Sequence, residues 1–150
     1  MNIGARKEQT VEASVEGGCL CGSVRYRVTG TPISSSICHC RSCRLASGAP
    51  SVAWFVVRNE QFTMLSGRPS TLRSSPPVVR SFCGRCGTPL TYQHDDDPGA
   101  IEITTATLDH PELFAPTKEI WLSQKVAWAA SHPGIEHYPR TGRDEHDSVD

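Results

Sequence analysis

Apolar residues along this chain are spaced for short extended segments. Val24, Tyr26 and Val28 alternate with Arg25, Arg27 and Thr29. A period of two puts the three apolar side chains on one face and predicts a strand over residues 23–30. Residues 51–57 (SVAWFVV) are β-branched and aromatic, as in a strand covered on both faces. Shorter runs predict strands over residues 61–65, 78–82, 89–93 and 101–107. Turn signals separate them: Gly30-Thr31-Pro32, Ser66-Gly67-Arg68-Pro69, Ser75-Pro76-Pro77 and Asp97-Pro98-Gly99. This rhythm predicts a mainly β architecture. Helix is confined to one expected turn over residues 40–47, and residues 118–130 read equally as helix or strand. Residues 1–16 are a polar lead-in and residues 139–150 a solvated tail with almost no apolar content. One domain is expected over residues 17–138.

Composition narrows the picture. A chain of 150 residues can bury a real core. Its hydrophobic fraction of 37% and charged fraction of 21% are those of a globular protein. A formal net charge of -1 gives no electrostatic footprint for nucleic acid or an anionic membrane, so neither is an expected partner. No apolar run approaches the roughly 20 residues that span a bilayer. The start, MNIGARKEQTVEAS, has no apolar core of a secretory signal. The expectation is a cytoplasmic protein, where thiols stay reduced.

The seven cysteines then carry the chemistry. All lie in three tight clusters: Cys19 and Cys21; Cys38, Cys40 and Cys43; Cys83 and Cys86. Core thiols would scatter, and an odd count does not complete a disulfide framework, so the pattern predicts metal ligation. Residues two apart on an extended segment point the same way. Cys19 and Cys21 therefore face one ion, as do Cys38 and Cys40, which turns His39 away. Cys43 returns to the second pair through a turn. Cys83-Gly84-Arg85-Cys86-Gly87 suits a tight knuckle, in which Gly87 takes positive φ. The knuckle needs two more ligands, and Cys19 and Cys21 supply them. Four cysteines make a closed structural zinc site, and the remaining three leave a second ion one ligand short, as catalytic zinc sites do. Alternatively His39, His94 or His132 completes the second set and both sites are structural.

GGCLCGSVRY, CHCRSCRLASGAP and FCGRCGTPLTY, in that order, resemble the glutathione-dependent formaldehyde-activating enzyme family, which includes centromere protein V. The resemblance runs from about Gly17 to about Trp128. It implies several small antiparallel sheets in a β-tent arrangement around two zinc sites. It also implies a structural zinc on Cys19, Cys21, Cys83 and Cys86 and a catalytic zinc on Cys38, Cys40 and Cys43. The implied activity is that of a carbon–sulfur lyase joining formaldehyde and glutathione as S-hydroxymethylglutathione. The centromere-associated relatives suggest instead a zinc-stabilised binding module. Where members commonly read His-Ile-Trp, this chain has Glu119-Ile120-Trp121, which suggests a lyase for a different thiol adduct.

Arg41 lies within the middle motif and Arg44 just after it, and both are candidates for holding a substrate's carboxylates, or are solvent-facing charges. Asp95, Asp96 and Asp97 precede Pro98-Gly99 and read as a solvated loop. Trp54, Trp121 and Trp128 read as core or rim packing. His132 and His137 flank Pro133-Gly134, with no partner evident from the sequence.

Overall fold

The computed structural model describes residues 13–142. In chain order the strands are β1 (Ser14–Gly18), β2 (Arg25–Thr29) and β3 (Ser34–Cys38), then helix α1 (Arg41–Ser47) and strand β4 (Val52–Arg58). There follow β5 (Phe62–Ser66), β6 (Ser70–Ser75), β7 (Val78–Phe82), β8 (Pro89–His94), β9 (Ala100–Thr104), β10 (Lys118–Ile120) and β11 (Glu136–His137). The fold is mainly β, as the alternation predicts. Three strands form a small antiparallel sheet in the order β1-β2-β5, and eight form a larger one in the order β11-β10-β3-β4-β9-β8-β7-β6. The larger sheet is mixed, because β10 runs parallel to both β3 and β11. Among the described residues no helix is long and apolar enough to cross a membrane.

Alternation along β4 explains how the core and a cleft come to share one sheet. Phe55 and Val57 point to one face, where they pack with Val28 and Tyr26 of the small sheet and Ile101 and Ile103 of β9. Each such buried side chain contributes about 1.5–3 kcal/mol relative to exposure. Trp54 points to the other face, against Cys38 and Cys43. Successive residues on one strand thus look into two different environments.

Several boundaries depart from the sequence reading. β1 begins within the expected polar lead-in, because Val15 pairs with Val28 and packs on the core. The strand expected over 101–107 stops at Thr104, and Thr105–Thr107 forms a 3₁₀ turn. The Thr107 hydroxyl donates to the Thr104 carbonyl at 2.8 Å and closes that turn. The ambiguous residues 118–130 begin as β10 and then turn at Leu122–Gln124. The expected tail is pinned at its start, where the Pro139 and Arg140 carbonyls accept from Ser123 and Trp121. The rest of that tail from residue 143, and the lead-in through residue 12, lie outside the described residues.

Candidate functional site

Two groups of cysteines form, with the predicted partition. The Sγ atoms of Cys19, Cys21, Cys83 and Cys86 lie within 4.8 Å of one another, and so do those of Cys38, Cys40 and Cys43. Among the described residues no histidine, aspartate or glutamate joins either group.

The first group unites two turns from different sheets. Cys19 and Cys21 lie between β1 and β2, and Cys83 and Cys86 in the knuckle between β7 and β8. Gly87 takes φ 81° there, as expected, and its N–H donates to the Cys83 carbonyl at 2.8 Å. Backbone N–H groups also reach the sulfurs: Val24 donates to Cys19 Sγ at 3.3 Å and Cys86 to Cys83 Sγ at 3.4 Å. Such donors stabilise thiolate, the form that binds metal. Thr88 adds a hydroxyl at 3.2 Å from Cys86 Sγ and helps lower that thiol to about 5.

The second group forms where β3 runs into α1. Cys40 caps the helix, its Sγ accepting from the Cys43 N–H at 3.3 Å. That cap returns Cys43, from the first turn of the helix, to Cys38 and Cys40. Hydrogen bonds from Cys38 and Cys43 push the Cys40 thiol well below its ordinary value, and the Arg80 charge acts in the same direction. Cys38 is pushed up, first by its bond to Cys40 and then by its bond to Cys43. Three thiolates cannot stand together here without a cation, so the chemistry of both sets suits a soft divalent metal.

The trio forms part of the wall of a cleft of about 950 Å³, floored by the outer face of the large sheet. Trp54, Ile120 and Trp121 pack beside the cysteines. Arg80 of β7 lies with its guanidinium 5.0 Å from the Tyr92 ring centroid, while its Nε donates to Ser74 at 3.2 Å. Arg41 also lines the cleft. Arg44 does not, and its Nε is buried without a partner. Asp96, Asp97 and His94 line the cleft as well, so two of the three aspartates are more than loop, while Asp95 pairs with Arg73 at 2.9 Å. Trp54 and Trp121 are cleft residues, whereas Trp128 is 77% exposed.

His39 turns away from the sulfurs, as alternation requires, and its Nε2 donates to Glu119 Oε1 at 2.9 Å. His132 meets the same carboxylate. His94 Nδ1 accepts from the Asp96 N–H at 3.1 Å, so none of His39, His94 and His132 joins the trio. Sequence reasoning missed Arg80 and Tyr92, which approach the trio only once β7 and β8 are in register.

The family model described as glutathione-dependent formaldehyde-activating enzyme matches residues 14–124, most of the chain. The chain belongs to that family. A Halomonas elongata protein provisionally named a glutathione-dependent formaldehyde-activating enzyme is 25% identical over 123 residues, 76% of this chain and 78% of its own length. A crystal structure of a Rhodobacter sphaeroides protein superposes with a TM-score of 0.55 at 21% identity, covering 67% of this chain and 96% of the other. That likeness is one of fold.

Proposed function

We propose that this protein is a zinc-dependent carbon–sulfur lyase that joins glutathione to formaldehyde as S-hydroxymethylglutathione, and runs the reverse step. The observation that carries this reading is the contrast between the clusters: four cysteines converge in one, and three line a cleft in the other. Cys19, Cys21, Cys83 and Cys86 would hold a structural zinc with its coordination complete. Cys38, Cys40 and Cys43 would hold a second and leave one position for substrate sulfur. Unpaired thiols in these sets suit a reducing, cytoplasmic compartment.

When bound, the second zinc supplies the positive charge that keeps a substrate thiol as thiolate near neutral pH. The protein's own groups do the rest. Arg80 and Arg41 bind the carboxylates of glutathione and fix its sulfur beside the trio. Trp54, Ile120 and Trp121 keep bulk water from the sulfurs. Sulfur attacks the aldehyde carbon, a C–S bond forms, and the carbonyl pair moves to oxygen, which takes up the proton that the thiol released. Tyr92 lines the cleft beside the trio, where burial and then the Glu102 charge push its pKa up. In this reading its phenol donates a hydrogen bond to that oxygen.

The test is exchange spectroscopy of glutathione and formaldehyde with the purified protein. Exchange between free and hydroxymethyl glutathione should exceed the buffer rate in proportion to enzyme. A rate equal to buffer would leave a zinc-stabilised binding module, or a lyase for another thiol adduct.

A further inference from the structure

Glu119 is 0% exposed, and every side-chain donor around it is a histidine. His39 Nε2 donates to Oε1 at 2.9 Å and His132 Nδ1 to the same oxygen at 3.0 Å. The His132 backbone N–H reaches Oε2 at 3.1 Å, and His137 Nε2, which hydrogen-bonds the His132 carbonyl at 2.9 Å, stands 3.0 Å from Oε2. Burial opposes the charge on Glu119, but bonds from His132 and then His39 outweigh it and hold the carboxyl below its ordinary value. Glu119 is thus the anionic acceptor that these donors require. The histidines approach the carboxylate from separate directions: among the described residues their ring nitrogens do not form a converging group within 4.8 Å. The cluster is a hydrogen-bonded hub and not a third metal site.

What the hub joins is specific. His39 lies between Cys38 and Cys40, and its ring is 1% exposed. Fixing that ring fixes the backbone on which both sulfurs are mounted. The same backbone is tied again where the His39 N–H donates to the Ile120 carbonyl at 3.1 Å. β10 is three residues long and β11 two, both in parallel pairing, the weaker kind of ladder. So short a ladder needs help to hold register, and the carboxylate spans it from β3 to the segment that carries His132 and His137. Two residues on, Trp121 adopts φ 57°, the one left-handed non-glycine residue among those described. Its N–H donates to the Arg140 carbonyl at 2.9 Å while its side chain lines the cleft. A backbone held in that region needs surroundings that over-determine it.

We propose that Glu119 is a positioning residue: through His39 it sets the Cys38 and Cys40 sulfurs, and through His132 and His137 it holds the C-terminal arm that places Trp121 in the cleft. Glu119 touches no reacting atom. Its effect is to reduce the freedom of the segment that carries two of the three sulfurs, so that a metal meets a preformed set. Loss of such outer support typically costs 10–100-fold in metal affinity.

The test compares the full-length, zinc-loaded protein with Glu119→Gln, which keeps the side chain's size but replaces one acceptor oxygen with an NH₂ donor. Amide hydrogen exchange is the first readout. Exchange should rise about tenfold or more over residues 36–43 and 117–123, with β7, β8 and β9 keeping their protection. The second readout is zinc transfer to a chromogenic chelator. One of two zinc ions should leave 10–100-fold faster and the other at the wild-type rate. A folded variant with unchanged exchange over 36–43 would overturn the proposal, and so would a uniform rise over both sheets, which would mark a general loss of stability. If Glu119→Gln does not fold, the pair His132→Ala and His137→Ala removes two half-exposed partners and should loosen the same two segments to a smaller extent; wild-type exchange there would equally overturn it. The zinc arm rests on the two-metal reading above and the exchange arm does not. One zinc per wild-type chain would defeat that reading and leave exchange to decide the role of Glu119.

Discussion

Arg80 joins the cleft by strand alternation: Ser81 on β7 is buried, and its neighbour Arg80 projects towards Tyr92 and the cysteine trio. An ion contact to a substrate carboxylate in such a place is worth about 1.5–3 kcal/mol. Arg80→Ala should therefore raise KM for glutathione about 10–100-fold and leave kcat within about twofold, the mark of a group that binds ground and transition states alike. Arg80→Lys should recover only part of the loss, because an ammonium cannot form the guanidinium fork. Steady-state kinetics at saturating formaldehyde would measure both. An unchanged KM would remove Arg80 from the site. The grouping of the cysteines was legible at this scale because their spacing is local. Arg80, Tyr92 and the partners of Glu119 were not, since each is brought in from a distant part of the chain.

Elements show the same division. The strands with alternating or continuous apolar residues, β2, β4, β5, β7 and β8, fall where the pattern places them, within a residue or two. β3 was missed because it reads Ser-Ser-Ser-Ile-Cys, although Ser35 and Ser36 are buried and the Ser35 hydroxyl donates to the Ala115 carbonyl at 3.1 Å. β6 is exposed along its whole length as an edge strand, so no apolar pattern marks it. Turn chemistry was more readable. Gly67 links β5 to β6 at φ 77°, and a Cβ there would clash with the Ser23 carbonyl oxygen. Gly67→Ala should cost about 2 kcal/mol or more from the left-handed backbone and the clash together. For a chain of this size that lowers Tm by about 4–8 °C. Calorimetry would measure it, and an unchanged Tm would show that the turn relaxes freely.

For the molecule as a whole, the four-cysteine cluster bridges a loop of the small sheet and the knuckle of the large one. Structural zinc binding is worth about 10–16 kcal/mol, against a typical total stability of about 5–15 kcal/mol. Cys83→Ser should therefore abolish the cooperative melt, whereas Cys40→Ser, on the cleft side of the sheet, should keep a melt and lose activity. Equal collapse of the two variants in thermal scans would contradict this division of labour. Excess chelator should likewise erase the β signal in circular dichroism. A spectrum that persists would show that the sheets stand without metal.

The sequence by itself determined which cysteines gather and how they divide into two groups, because cysteine spacing on extended chain and tight turns is a matter of a few bonds. It also determined that the fold is mainly β, through period-two patterning. Only the tertiary structure decided that the two clusters sit on opposite sides of one sheet, that Arg80 and Tyr92 face the trio, and that Glu119 gathers His39, His132 and His137. Those relations depend on register and crossover between segments up to about a hundred residues apart, and no local pattern encodes which strand becomes whose neighbour.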